Sequence, residues 1–231
     1  NSDCLLVMGA DLGTDHMVAG FKGKRKVLEG APLVVIDPQE NSFDDLAGCV
    51  LKATGGTDVD ILRALSSALV QEGLIERETT LQCRTALEKC AAVTGISAET
   101  YLTAARLIGA ASNPVILYGK GITGSEDMNI LKGLVTFAES IGAIGETWSG
   151  LVSVKGKANS LAAAQFGLTS AFETTGSEVI FLSLGDDVSS NRLHKRLNKE
   201  AFKIIQSTYS STLVEEAVFV FPALGWQEQR G

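Results

Sequence analysis

The chain has 231 residues, 45% of them hydrophobic, with a formal net charge of −7 and an isoelectric point near 4.9. That length can bury a sizeable core, enough for one large α/β domain or two small ones, and the acidic balance excludes broad electrostatic binding to nucleic acid or to an anionic membrane. No apolar run approaches the ~20 residues a membrane-spanning helix needs, and no charged start with a hydrophobic segment reads as a signal peptide. The expectation is a soluble, cytoplasmic protein without direct membrane insertion, reaching a membrane only through a complex.

In chain order, Cys4 to Met8 is a continuous apolar run ending in Gly9, as expected of a parallel strand buried on both faces. The basic stretch Lys22-Gly23-Lys24-Arg25-Lys26 reads as a solvated helix end or turn, and the segment around it is long enough for a short crossover helix. Pro32 to Ile36 then forms a second strand ending at Asp37-Pro38, so the first stretch is a βαβ unit. Gly56-Thr57-Asp58 precedes Val59, Leu62, Leu65 and Leu69, whose spacing lays one apolar face on a helix that Thr57 or Asp58 can cap and that ends near Gly73. A second helix is expected over 79–92. A third starts at Ser97 as N-cap, with Ile96 stapled to Tyr101, then Leu102, Ala105 and Ile108 inward, and it stops at Ser112-Asn113-Pro114.

Next comes an apolar strand, Pro114 to Tyr118, running into Gly119-Lys120-Gly121-Ile122-Thr123-Gly124, a G-x-G-x-x-G turn that opens a helix. Ile130, Leu131, Leu134, Val135 and Phe137 give an amphipathic helix that stops around Ile141-Gly142. From there to about Ala158 small residues without period read as a loop and a domain junction. The remainder reads as strand (Val179 to Leu184, ending at Gly185-Asp186-Asp187), helix (Asn191 to Leu197), strand (Phe202 to Gln206) and strand (Ala217 to Phe221). The expected fold is α/β, doubly wound with mostly parallel sheets, in two Rossmann-like modules at 1–157 and 158–231, the second truncated.

Three strand-to-glycine turns, at Gly9, Gly119 and Gly185, thus offer cradles for nucleotide phosphates, because a helix N-terminus beyond a strand's carboxyl end presents free amides. Gly119, Gly121 and Gly124 permit close backbone approach to a diphosphate, and Asp37 is placed to accept hydrogen bonds from a ribose or base. The same glycines also serve tight turns with no ligand. Asp11, Asp15, Asp186 and Asp187 read first as helix caps and second as metal ligands or an acid/base pair. His16 faces a possible ligand, whereas His194 lies among Arg192, Lys195 and Arg196 on a solvated helix. Cys4, Cys49, Cys83 and Cys90 form no C-x-x-C pair and read as buried free thiols. No Ser/His/Asp or Cys/His arrangement stands out, which argues against a self-contained hydrolase.

The order of these motifs resembles the molybdopterin oxidoreductase family, which includes formate dehydrogenases, nitrate and dimethyl sulfoxide reductases and the large iron–sulfur subunit of respiratory complex I. The resemblance runs through Gly9-Ala10-Asp11 with His16, Asp37-Pro38, Gly56-Thr57-Asp58, Thr94 to Glu99, Gly119-Lys120-Gly121, Lys155-Gly156-Lys157-Ala158-Asn159, Gly185-Asp186-Asp187, and Phe221-Pro222-Ala223 through Trp226 to Gly231. It implies two nucleotide-fold domains, each gripping one guanine dinucleotide end of a paired molybdopterin cofactor. Gly9, Asp11, His16, Asp37, Gly56, Thr57 and Asp58 fall toward one cofactor half, and Gly119, Gly121, Lys155, Asn159, Gly185 and Asp187 toward the other. Iron–sulfur clusters would lie in other parts of a longer protein, beside further domains and electron-transfer subunits, and this chain would hold no complete active site. It departs from the family pattern at Asp11, Gln39, Phe43 and Val218, where the family has asparagine, arginine, threonine and aspartate. These departures keep open an alternative, a cofactor-free structural module like that of the large complex I subunit. A lesser alternative is the central domain of a thiamine diphosphate enzyme, which the phrase Asn113 to Gly121 also resembles.

Overall fold

The computed structural model describes residues 2–52, 54–76, 87–124, 127–154, 160–168, 174, 176–184, 193–225 and 227–228. The chain divides into two compact units, Asn1–Leu161 and Ala162–Gly231.

In the first unit five strands, β1 (Cys4–Met8), β2 (Leu33–Ile36), β3 (Cys49–Leu51), β4 (Pro114–Tyr118) and β5 (Leu151–Ser153), form one parallel sheet in the order β3-β2-β1-β4-β5. β1 and β2 are buried along their whole length, which is why they read as unbroken apolar runs. Successive residues alternate between two clusters. Leu6, Met8, Val34, Ile36 and Ile116 face one side, and Leu5, Val7, Leu33, Val35 and Leu117 the other.

The first side is covered by α2 (Asp58–Gln71), α3 (Leu87–Thr94), α4 (Ala98–Gly109) and α6 (Met128–Ser140), and the second carries α1 (Met17–Leu28). Ser97 caps α4 by accepting from the Thr100 amide at 3.2 Å, and α2 is terminated by Gly73 at φ 70°. Tyr101 is wholly buried, its hydroxyl bonded to Thr94 Oγ1 at 2.8 Å. Cys4, Cys49 and Cys90 are buried, and burial, helped by the Asp3 charge, pushes Cys4 up to about 12. Cys83 and the start of the helix expected over 79–92 lie outside the described residues.

Two sequence expectations change. The stretch expected as a loop and junction contains β5, which pairs with β4 from Ile116–Leu151 to Tyr118–Ser153. Three residues between glycine-rich flanks are too short to carry a periodic signal, and the partner supplies the order: Ile116 N–H donates to Gly150 O at 2.8 Å. The glycine turn after β4 opens only one helical turn, α5 (Lys120–Thr123); α6 starts anew at Met128, capped by Asp127 accepting from the Asn129 amide.

The second unit holds a separate parallel sheet in the order β6 (Val179–Ser183), β7 (Phe202–Ser207), β8 (Phe219–Pro222), with α8 (Thr212–Glu215) between the last two strands and α7 (Ser160–Gln165) beginning just before the unit. Ile180, Leu182, Leu197, Ala201, Ile205 and Leu213 make its core. Among the described residues no helix is long and apolar enough to cross a membrane.

Candidate functional site

All five strands of the first unit run the same way, so their carboxyl ends share one rim. The chain winds outward from β1 through β2 to β3, returns to β4 and continues to β5, so connections diverge between β1 and β4, the position where open α/β sheets bind ligands. There the turns after β1 and β4 touch. Gly119 N–H donates to Met8 O at 3.1 Å and Gly121 N–H to Gly9 O at 2.9 Å. A Cβ on Gly121 would lie 2.8 Å from Gly9 Cα, and one on Gly119 would lie 2.6 Å from Ala10 Cβ. Gly9 itself is at φ 57°. The glycines read as a diphosphate cradle thus let two backbone turns meet, and the amides of Gly119 and Gly121 are already donated inside the protein.

Beside this junction is a cavity of about 160 Å³ lined by Gly9, Asp37, Gly55, Gly56, Asp58 and Gly121. The glycines here have a different job. Gly56 sits at φ 86°, and a Cβ on Gly55 or Gly56 would meet only open space, so this bend leaves room beside the first turn of α2. Thr57, the N-cap, makes no side-chain cap bond and instead donates its hydroxyl to Thr54 O at 2.7 Å. The amides at the start of α2 are therefore not engaged by a capping side chain.

Two carboxylates serve this cavity. Asp37 accepts from the Gln39 amide at 2.9 Å through Oδ1 and from Asn41 Nδ2 at 3.4 Å through Oδ2. Burial raises the Asp58 carboxyl above its ordinary value; its own amide partly offsets this, and the Asp37 charge raises it further. Asn41, which sequence reasoning passed over, is buried and also donates to Ala10 O at 2.8 Å, tying the loop after β2 to the turn after β1. Its only sequence signal was a polar residue in a loop.

The other sequence-derived residues divide. Asp11 closes its own turn. Burial pulls its carboxyl upward, but the hydroxyls of Ser42 and Thr14 and the amides of Gly13 and Thr14 outweigh it, and the net shift is downward. Its oxygen is occupied by the turn and by Ser42, and it caps no helix, since α1 starts only at Met17 with His16 as its N-cap. His16 is the N-cap residue of α1 and lines a different, apolar groove on the α1 side of the sheet, away from the Asp37 and Asp58 carboxylates. Phe43 is fully buried against Gly23 of α1, a core anchor. Gln39 accepts through its carbonyl from Lys52 Nζ, and Lys52 is paired with Asp44 at 2.7 Å, so that cation is already matched. In the second unit His194 is paired with Glu216 at 2.7 Å, and Val218 is exposed. Lys155, Asn159, Gly185 and Asp187, assigned to the second cofactor half, lie outside the described residues, as does Asp186.

Comparison with known proteins decides the family, because the match to Molybdopterin oxidoreductase extends over residues 1–231. The chain belongs to the molybdopterin oxidoreductase family. The family's enzymes carry a molybdenum–pterin cofactor, and this full-length match displaces the thiamine diphosphate reading. This family member is 24% identical over 284 residues to F420-dependent formate dehydrogenase 2 subunit alpha of Methanococcus maripaludis, covering 100% of the chain and 42% of that subunit. It is 22% identical over 180 residues to formate dehydrogenase H of Escherichia coli, covering 72% of the chain and 25% of the enzyme. The chain thus spans less than half the length of these relatives. Among solved structures, acetylene hydratase from Pelobacter acetylenicus superposes with a TM-score of 0.53 at 21% identity, covering 62% of the chain and 22% of the hydratase, a likeness of fold.

Proposed function

We propose that this chain is the dinucleotide-holding part of a formate dehydrogenase-like oxidoreductase subunit and that the cavity at the β1–β4 divergence takes the nucleoside end of a molybdopterin guanine dinucleotide. The observation that carries the reading is the meeting, in one small cavity, of two carboxylates with an open glycine bend at a helix start. A guanine edge presents adjacent N–H donors, and Asp37 and Asp58 are acceptors suited to them. The Gly55-Gly56 bend allows a ribose to lie close to the backbone at the start of α2.

The residues fit a base and ribose better than a diphosphate, since Gly119 and Gly121 have no amide to give and Lys52 is paired. Lys155, Asn159, Gly185 and Asp187 stay with the other cofactor half, as the family resemblance implies. The redox chemistry of such a cofactor resides at its metal; the part played by this chain is to bind, orient and shield one end of it. The relatives named alpha subunits imply further subunits, and iron–sulfur clusters would belong to those or to other parts of a longer chain.

The observation that favours the second reading, a structural module without cofactor, is that the Gly119 and Gly121 amides are donated inside the protein and Lys52 is paired with Asp44. Calorimetric titration with GDP decides between them. The expected outcome is saturable binding, stronger than for ADP, that falls at least about tenfold in Asp37→Ala and in Asp58→Ala and is unchanged in Asp11→Ala. No association with GDP at any protein concentration supports the structural module instead.

A further inference from the structure

The small cavity at the β1–β4 divergence has two walls of different construction. Gly9, Asp37 and Gly121 continue the ends of β1, β2 and β4, and the Asp37 amide still donates to Leu51 O at 3.3 Å, so this wall belongs to the sheet. The other wall, Thr54 to Asp58, lies between β3 and α2 and is built around a four-residue turn. The Thr57 amide donates to Thr54 O at 3.3 Å, the Thr57 hydroxyl donates to the same oxygen at 2.7 Å, and Gly56 in third place has φ 86°, as a type II turn requires.

That turn is held from behind by the junction of α3 and α4. The Thr54 amide donates to Thr94 O at 3.3 Å, and Gly95, which ends α3 at φ 75°, lies against Thr54: a Cβ on it would stand 3.9 Å from Thr54 Oγ1. Two hydroxyls fix the junction in turn. Tyr101 donates to Thr94 Oγ1 at 2.8 Å, Thr94 Oγ1 donates to Ala91 O at 3.2 Å, and both side chains are wholly buried. Burial pushes the Tyr101 hydroxyl up to about 12, so it remains a donor throughout the ordinary pH range. Replacing both partners of such a bond by apolar groups of the same shape is nearly neutral for stability, so stability alone does not account for the pair. A satisfied buried pair instead selects one arrangement of the backbone around it.

We propose that, given the nucleoside reading of this cavity, Thr94 and Tyr101 are positioning residues for it, setting where the Thr54–Thr57 turn and Asp58 stand relative to Asp37. Neither residue lines the cavity. Their effect passes through the Thr94 carbonyl to the Thr54 amide, and from the Thr54 carbonyl to Thr57 at the start of α2.

Calorimetric titration with GDP and amide hydrogen exchange, both on the 231-residue chain, test this together. Tyr101→Phe and Thr94→Val are expected to weaken GDP binding at least about fivefold, whereas Thr94→Ser, which keeps the hydroxyl, is expected to bind within about twofold of the parent. Without nucleotide, the Thr54 and Thr57 amides are expected to exchange at least about tenfold faster in Tyr101→Phe and Thr94→Val, while the amides of β1 and of the middle of α2 keep the parent's rates. The double variant Thr94→Val with Tyr101→Phe, which leaves neither hydroxyl behind, is expected to show the same losses and serves where a single variant does not fold. GDP binding equal to the parent's in Tyr101→Phe and Thr94→Val overturns the proposal and leaves the nucleoside reading standing. Exchange accelerated equally across β1, α2 and α4 also overturns it, because the pair is then merely structural, as does binding by Thr94→Ser no better than by Thr94→Val. No binding of GDP by the parent sinks the nucleoside reading, and the positioning role with it.

Discussion

Gly121 and Gly56 lie on the same small cavity and do opposite things. At 121 the space is already filled by Gly9, so Gly121→Ala drives a Cβ into backbone and is expected to cost about 1–3 kcal/mol of stability in a denaturant titration. At 56 the space is open and only the left-handed φ resists, so Gly56→Ala is expected to cost about 1 kcal/mol while weakening GDP binding more than its stability effect accounts for. Asp58 gives a pH signature. Its folded pKa is raised above the unfolded value, so the native state holds that proton more tightly. The stabilisation by the neutral form is present below the unfolded pKa and is lost as pH rises through the folded one. Asp58→Asn is therefore expected to be more stable than the parent at neutral pH, with the difference shrinking on acidification through the carboxylate range; unfolding midpoints at several pH values check it. The glycines and Asp37 were legible as residues because a strand running into glycine or Asp-Pro is a local signal. The contrast between Gly121 and Gly56 was not, since it depends on which turn lies against which.

Elements with local signals behaved as their sequences predict. α4 has its Ser97 cap and its buried Tyr101, Ala105 and Ile108, and Ser97→Ala is expected to lower stability by about 1 kcal/mol, read as a shift of the unfolding midpoint. α2 follows its apolar spacing and ends before a glycine. Elements sustained by a neighbour were not legible: β5 depends on β4 for its hydrogen bonds, and β3 is three residues placed by β2. α1 shows the limit from the other side. Its position between β1 and β2 follows from chain length, but the direction in which it buries its surface does not follow from its apolar residues, because glycines make the contact.

At the scale of the molecule, the first unit has its own sheet and two apolar clusters, and β1 joins its distant halves. Asp3 secures that junction by accepting from the amides of Ser112 and Asn113, both at 2.8 Å, just before β4. Residues 1–161 alone are accordingly expected to unfold in one cooperative transition and to retain GDP binding, whereas Asp3→Ala is expected to lower the midpoint of that transition by roughly 1–2 kcal/mol. The sequence by itself determined the parallel α/β class, the strands buried on both faces and the family, because continuous apolar runs, caps and ordered glycine motifs are local along the chain. Only the tertiary structure decided that β4 returns beside β1, and that Asp58 joins Asp37 at one cavity while His16 lies elsewhere. Strand order is a pairing of residues about a hundred positions apart, and it is fixed by packing and hydrogen bonding between segments that carry no mark of each other in their own sequences.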